Sequence, residues 1–231
     1  MLTKKGLIQI AGVHDIEEAA MLQDKGVRYI GFPLRTDVNK EDISEKEARD
    51  IIVSLLPGTR AVIITYISEA HEVSDLCRSL SASIVQLHGD PDLYNLKELK
   101  QISPDLTLIK SLVVGYLDRF LLEKIVEEQS EFVDAFITDT YNPVTKARGA
   151  TGITHDWEIS RRIVEFSPRP VILAGGLNPK NVGDAIMTVK PCGVDCHTGV
   201  EGADGRKDPE KVAEFVSEAG DAFRKLKYNT L

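Results

Sequence analysis

Long hydrophobic runs are missing from this chain. No stretch approaches the roughly 18 consecutive apolar residues of a membrane span. The apolar segment nearest the start, "LIQIAGV" from Leu7 to Val13, is short, broken by Gln9 and followed at once by His14 and Asp15. Neither a membrane span nor a secretion signal is expected, and no membrane partner. Cysteine is scarce too: Cys77, Cys192 and Cys196 are few and odd in number, which excludes a disulfide framework and suits a reducing cytoplasm. Basic charge is in deficit. Lys and Arg total 28 against 36 Asp and Glu, so the chain carries a net −8, spread along its length. That balance argues against nucleic acid and anionic membrane surfaces as partners. Nucleotide signatures are absent as well, with no G-x-G-x-x-G after the first apolar run and no P-loop.

What is present is alternation. Short β-branched runs occur at "LIQIAG", "VRYIGF", "RAVIITYI", "SIVQLH", "LTLIKSLVV", "VDAFIT", "RPVILAG" and "CGVDCH". Each is followed by a segment of helical period: "DIEEAAMLQDKG", "SEKEARDIIVSLL", "SDLCRSL", "PDLYNLKELKQI", "YLDRFLLEKIVEEQ", "WEISRRIVEF", "NPKNVGDAIMTV" and "PEKVAEFVSEAGDAFRKL". Asp90 before Pro91, and Asn178 before Pro179, read as N-caps with proline at the first helical position. Asp15 reads as the cap of the first helix. Eight strand–helix pairs imply parallel strands with right-handed crossovers. That count in roughly 200 to 250 residues is the length of a TIM (β/α)8 barrel. A doubly wound open sheet is the competitor and lacks its glycine fingerprint. No linker or composition shift divides the chain, so residues 1–231 are expected to form one barrel domain.

In such a barrel the loops after the strands carry the chemistry. Glycines gather there: Gly149 and Gly152 after the sixth strand, Gly175 and Gly176 after the seventh, Gly199, Gly202 and Gly205 after the eighth. Backbone N–H groups in bare turns beside a helix start can hold a phosphate dianion without a basic patch. Gly152, Gly175, Gly176, Thr198 and Gly199 are therefore the expected phosphate cradle. The glycines are expected to leave the ligand room.

Four stretches carry a resemblance. "VQLHGD" (Val85 to Asp90), "GATG…HDW" (Gly149 to Trp157), "LAGGLNPKNV" (Leu173 to Val182) and "GVDCHTGVEG" (Gly193 to Gly202) stand in one order over nearly the whole chain. The chain resembles the phosphoribosylanthranilate isomerase family of tryptophan biosynthesis, whose patterns run "VQLHG(D/E)E", "GGTG…FDW", "L(A/S)GGLNP(E)NV" and "VDVSSGVE". The resemblance implies a TIM barrel of the ribulose-phosphate-binding type, monomeric or homodimeric. It implies an Amadori rearrangement of a small phosphorylated sugar-amine to an enol-type ketose phosphate, with no cofactor and no metal. It also implies an acid, which protonates the furanose ring oxygen, at Asp139 in "FITDT", and a base, which removes the C2 proton.

The family's base is a Cys in "K-(I/V)-C-G" closing the first strand. Here the stretch reads "Q-I-A-G", with Gln9 in the Lys position and Ala11 in the Cys position. A methyl group accepts no proton, and general acid–base assistance is worth about 10² to 10⁴ in rate. His197 is the leading substitute, its imidazole suiting either a base or a phosphate ligand. Asp195, His14 and Asp15 are further possibilities. Strand parity turns Cys196 outward toward the helices. After the second strand, Glu41 stands where the family has an Arg for the anthranilate carboxylate, and Arg35 or Lys40 could reach the same place. The loop after the sixth strand reads long and adds Lys146 and Arg148.

His88 has an expected role at the substrate side or in structure. His71 reads as surface, and His155 as packing at a helix start. Cys192 and Cys196 stand about 13 Å apart along a strand, too far for one zinc. Three functions stay open: this isomerase with a relocated base, an isomerase of a different phosphorylated aminosugar, or a non-catalytic phosphosugar-binding paralogue.

Overall fold

The computed structural model describes residues 6–36, 42–141, 143–144, 149 and 152–228. Eight strands appear where the alternation places them: β1 Leu7–Ala11, β2 Tyr29–Pro33, β3 Arg60–Thr65, β4 Ile84–Leu87, β5 Thr107–Val114, β6 Ala135–Thr140, β7 Val171–Leu173 and β8 Gly193–Cys196. All neighbours pair in parallel in sequence order, and β8 closes on β1. The (β/α)8 barrel is therefore observed directly. The helices are α1 Ile16–Asp24, α2 Glu45–Ser54, α3 Ala70–Ser79, α4 Leu93–Ile102, α5 Arg119–Gln129, α6 Trp157–Phe166, α7 Val182–Val189 and α8 Pro209–Tyr228. Among the described residues no helix is long and apolar enough to cross a membrane.

Strand parity divides the apolar residues into two shells. Leu7, Val62, Ile84, Ile109, Ile137 and Ile172 fill the inside of the cylinder. Their outward neighbours, such as Phe32, Phe136 and Val194, pack on the helices against Leu22, Leu122 and Phe215. Toward the C-terminal ends the inward positions turn polar. Gln9, Gln86, His88, Ser111, Asp139 and Asp195 are all buried there.

Local signals set most helix starts, while α3 and α7 have no side-chain cap bond. Asp15 caps α1 by accepting from the Glu18 N–H at 2.8 Å, and Ser44 with Glu47 forms a capping box on α2. The cap of α4 is Asp92 rather than Asp90, and it accepts from the Asn95 N–H at 2.8 Å. Before α7 a turn intervenes, so the cap is Asn181 rather than Asn178. The Asn181 side chain is spent on the turn, accepting from the Asn178 N–H and donating to the Gly176 carbonyl. Helix α3 starts four residues before the expected "SDLCRSL". Its Glu69 cap makes no side-chain bond, and the Ala70 N–H is instead satisfied by Asn95 of α4 at 3.0 Å.

A buried cation fixes the end of β4. Lys110 points outward from β5 and donates to the carbonyls of Gly89 and Ser111, each at 2.9 Å, with Asp90 at 3.5 Å. Lys110→Met should lower stability by about 1.5–3 kcal/mol, read as a lower urea midpoint at constant slope. An unchanged midpoint would show that other contacts hold the turn after β4.

Candidate active site

At the C-terminal ends of the strands lies a cavity of about 370 Å³. Its floor is set by Ala11, Gln86, Asp139 and Asp195, and its rim by His14, Asp42, His197 and Glu201. One wall consists of Gly152, Gly175, Gly176, Thr198 and Gly199, so the five expected phosphate-side residues share one side. Thr198 and Gly199 belong to a single 3-10 turn, Thr198–Val200, directly after β8.

The two glycines after β7 are needed for a reason other than the expected one. Both have positive φ, +97° at Gly175 and +64° at Gly176, a region that disfavours side chains. A Cβ on Gly175 would collide with the Thr140 hydroxyl, and one on Gly176 with the Ile153–Thr154 backbone. Bare backbone is therefore required to pack the turn against the loop before α6. Room for a ligand follows from that packing.

Asp139 ends β6 inside the barrel, and its Oδ1 accepts from the Thr140 N–H at 2.7 Å. Burial pushes its carboxyl up to about 8, the Thr140 bond opposing and the charge of Asp195 adding. Asp195, likewise buried, is pushed up to about 7 by desolvation, with Gln9 and Lys207 pulling it back. Two buried carboxyls lining one cavity cannot both ionise cheaply, so the pair favours holding a proton at neutral pH.

Behind Asp139 runs a bonded chain. Thr140 Oγ1 meets His155 Nδ1 at 2.8 Å, and His155 Nε2 meets Ser160 Oγ at 2.6 Å. Burial lowers His155 to about 4, so the ring is neutral and each of its nitrogens has a hydroxyl partner. Its role is thus a link between β6 and α6, beyond the packing expected from sequence.

His197 follows β8, one step beyond the paired residues Ile10 and Cys196. Its ring occupies the space where a side chain on Gly12 would begin, beside Ala11. Nε2 lies 3.6 Å from Glu201 and 3.9 Å from Asp42 at the rim. Burial, with Lys207 and His14 nearby, holds its pKa well below the ordinary value. Lys207 supports this edge from below, donating to Glu201 at 2.7 Å and to the His197 carbonyl at 3.2 Å. Its own N–H goes to Glu18 at 2.6 Å, and Glu18 also accepts from the backbone and ring of His14.

The other expected residues divide. His88 lines the cavity, bonded to Ser111 at 2.8 Å and edge-on to Tyr66. Gln9 lies below the cavity, fully buried, donating to Gln86 at 3.3 Å. Arg35 is not among the cavity-lining residues; its guanidinium pairs with Glu45 at 2.7 Å at the start of α2. Lys40, Glu41, Lys146 and Arg148 lie outside the described residues. Cys196 faces the helix layer, its thiol donating to the Leu177 carbonyl at 3.1 Å. Among the described residues no group of three His, Cys, Asp or Glu could hold a metal ion. Sequence reasoning passed over Asp42, Glu201 and Lys207. Only Glu201 carried a signal, inside "GVEG".

The family model for N-(5'-phosphoribosyl)anthranilate (PRA) isomerase matches residues 8–218. The chain belongs to the phosphoribosylanthranilate isomerase family. It is 36% identical to N-(5'-phosphoribosyl)anthranilate isomerase 2 of Methanosarcina mazei over 225 residues, 95% of this chain and 96% of that one. The crystal structure of the Thermotoga maritima phosphoribosyl anthranilate isomerase superposes with a TM-score of 0.79 at 28% identity, over 93% of this chain and 98% of that one. A further isomerase structure, in complex with reduced 1-(o-carboxyphenylamino)-1-deoxyribulose 5-phosphate, gives 0.76 at 27% identity over the same shares. Membership places this chain among isomerases of tryptophan biosynthesis.

The raised pKa of Asp139 is also a stability statement. Its folded value, about 8, lies above its ordinary 3.8. The protonated form is therefore favoured by folding, and that stability drains away as pH rises from about 4 through about 8. Asp139→Asn cannot ionise, so at pH 9 it should be more stable than wild type by at least ~1 kcal/mol, about 2–4 °C in Tm, and near parity at pH 4. Equal melting curves at both pH values would contradict a buried, proton-holding Asp139.

Proposed function

We propose that this protein catalyses the Amadori rearrangement of phosphoribosylanthranilate, with Asp139 as the acid that opens the furanose ring. The observation that carries this reading is the buried carboxyl of Asp139, which lines the same cavity as the glycine wall. A phosphate held by Gly152, Gly175, Gly176, Thr198 and Gly199 would lay the ribose across the barrel axis. C1 and the ring oxygen would then lie toward Asp139. The dry site strengthens the developing hydrogen bond to that oxygen. The sugar-amine phosphate bound by the family member in the solved complex supports this choice of ligand.

A second reading keeps the fold and changes the substrate. The described cavity lining holds the carboxyls of Asp42, Asp139, Asp195 and Glu201 and the imidazoles of His14, His88 and His197, with no Lys or Arg among them. That lining favours an amine substituent other than a benzoate. A binding-only paralogue would use the same cradle with no turnover.

The loss of phosphoribosylanthranilate fluorescence, together with rescue of a tryptophan auxotroph lacking the isomerase, separates these readings. Wild type should turn over and rescue, and Asp139→Asn should lose about 10² to 10⁴ in kcat. Calorimetric binding of a ribose phosphate without turnover, combined with activity gained by Ala11→Cys, would identify a paralogue that has lost the reaction.

A further inference from the structure

We propose that Asp195 is the group that takes the C2 proton, so that the base stands on β8 and not on β1. This rests on the isomerase reading above. Parity places the side chain: Gly193, Asp195 and His197 alternate inward, and Asp195 is the register partner of Gln9, two residues before Ala11 on the same face of β1. Its carboxyl lines the cavity together with Ala11 and Asp139. Only 9% of the residue is exposed, yet Oδ1 has no hydrogen-bond partner among the described residues. A buried carboxyl oxygen without a donor is costly, and the side chain that carries it lines the substrate-sized cavity.

The surroundings leave the carboxyl able to take a proton. From β1 comes the neutral amide of Gln9, whose hydrogen bond lowers the Asp195 pKa, in the position where the family pattern has Lys; an ammonium there would pair with the carboxylate and weaken it further as a base. Two strands away, β6 presents Asp139, whose buried carboxyl favours its protonated form. Lys207 approaches from behind β8, where its ammonium is already bonded to Glu201 and the His197 carbonyl. The imidazole of His197 points its Nε2 to Asp42 and Glu201 at the rim. The two departures in "QIAG" thus belong together: the thiol is lost from Ala11, and the cation that would neutralise the neighbouring carboxylate is lost from Gln9.

The step balances without a co-reactant. Asp139 gives its proton to the ring oxygen as the C1–O bond breaks, leaving a protonated Schiff base between C1 and nitrogen. Asp195 takes the C2 proton. The C2–H pair becomes the C1=C2 bond, and the pair of the C=N bond returns to nitrogen. The product is the neutral enol-amine, with Asp139 now ionised and Asp195 protonated. Transfer of one proton from Asp195 to Asp139 through solvent restores the starting state.

The test measures kcat on phosphoribosylanthranilate, protonated or deuterated at ribose C2, for wild type, Asp195→Asn, His197→Ala, Ala11→Cys and the Ala11→Cys/Asp195→Asn double variant. Affinity for reduced 1-(o-carboxyphenylamino)-1-deoxyribulose 5-phosphate, by calorimetry, reports whether each site still folds and binds. Asp195→Asn should cost about 10² to 10⁴ in kcat with probe affinity changed by only a few-fold, and adding Ala11→Cys should restore at least tenfold. Gln9→Lys should lower kcat and move the acidic limb of the pH profile to lower pH. A purely structural Asp195 would give neither the thiol rescue nor the shifted limb. Asp195→Asn at the wild-type rate, with His197→Ala inactive, would overturn the proposal and return the base to His197. A wild type with neither turnover nor solvent exchange at C2 would overturn the isomerase reading and this proposal together.

Discussion

Two carboxyl groups, Asp139 and Asp195, are buried in the lining of one cavity at the mouth of a closed cylinder, and the cost of desolvating them organises the chemistry around them. In open solvent both would ionise well below neutrality. Desolvation by the surrounding strands makes the second negative charge expensive, so the pair holds one proton. The closed sheet is what makes this possible. Closure of β8 on β1 removes both sheet edges and pairs the Asp195 backbone with Gln9.

The charged rim is built on the opposite principle. Glu18, Lys207, Glu201, His14 and His197 form one connected set in which Lys207 gives its backbone N–H to Glu18 and its buried ammonium to Glu201 and the His197 carbonyl. Such a set is satisfied internally and gives little away to a ligand. Asp15 and Arg206 extend it to the surface. The contrast locates the reactive groups: oxygen atoms already spoken for lie at the rim, while the oxygen with no partner lies on the floor.

Much of this was legible in the residues. Alternating β-branched runs and helical periods place all eight strands, parity on the last strand turns Cys196 outward, and the family resemblance marks Ala11 and Asp139. The motif order points to the family before any coordinate is needed. What sequence could not supply is contact between distant segments. The Ala70 amide that opens α3 is satisfied by Asn95 from the next helix, so no local cap marks the start. Lys207 sits in a polar stretch, "GRKDP", that reads as an ordinary loop, yet its side chain is fully buried against Glu201 while its backbone N–H is held by Glu18, far away in sequence. Gly175 and Gly176 look like clearance for a ligand until the loop before α6 is seen against them.

The bond between Thr140 and His155 joins the two roots of the connection that leaves β6 and enters α6. Gly175 rests on that same junction. The connection is thereby fastened at both ends. Between them Gly149 passes so close to the Asp139 carboxyl that any side chain there would strike it, so the acid at the strand end constrains which residues that position of the crossover can accept.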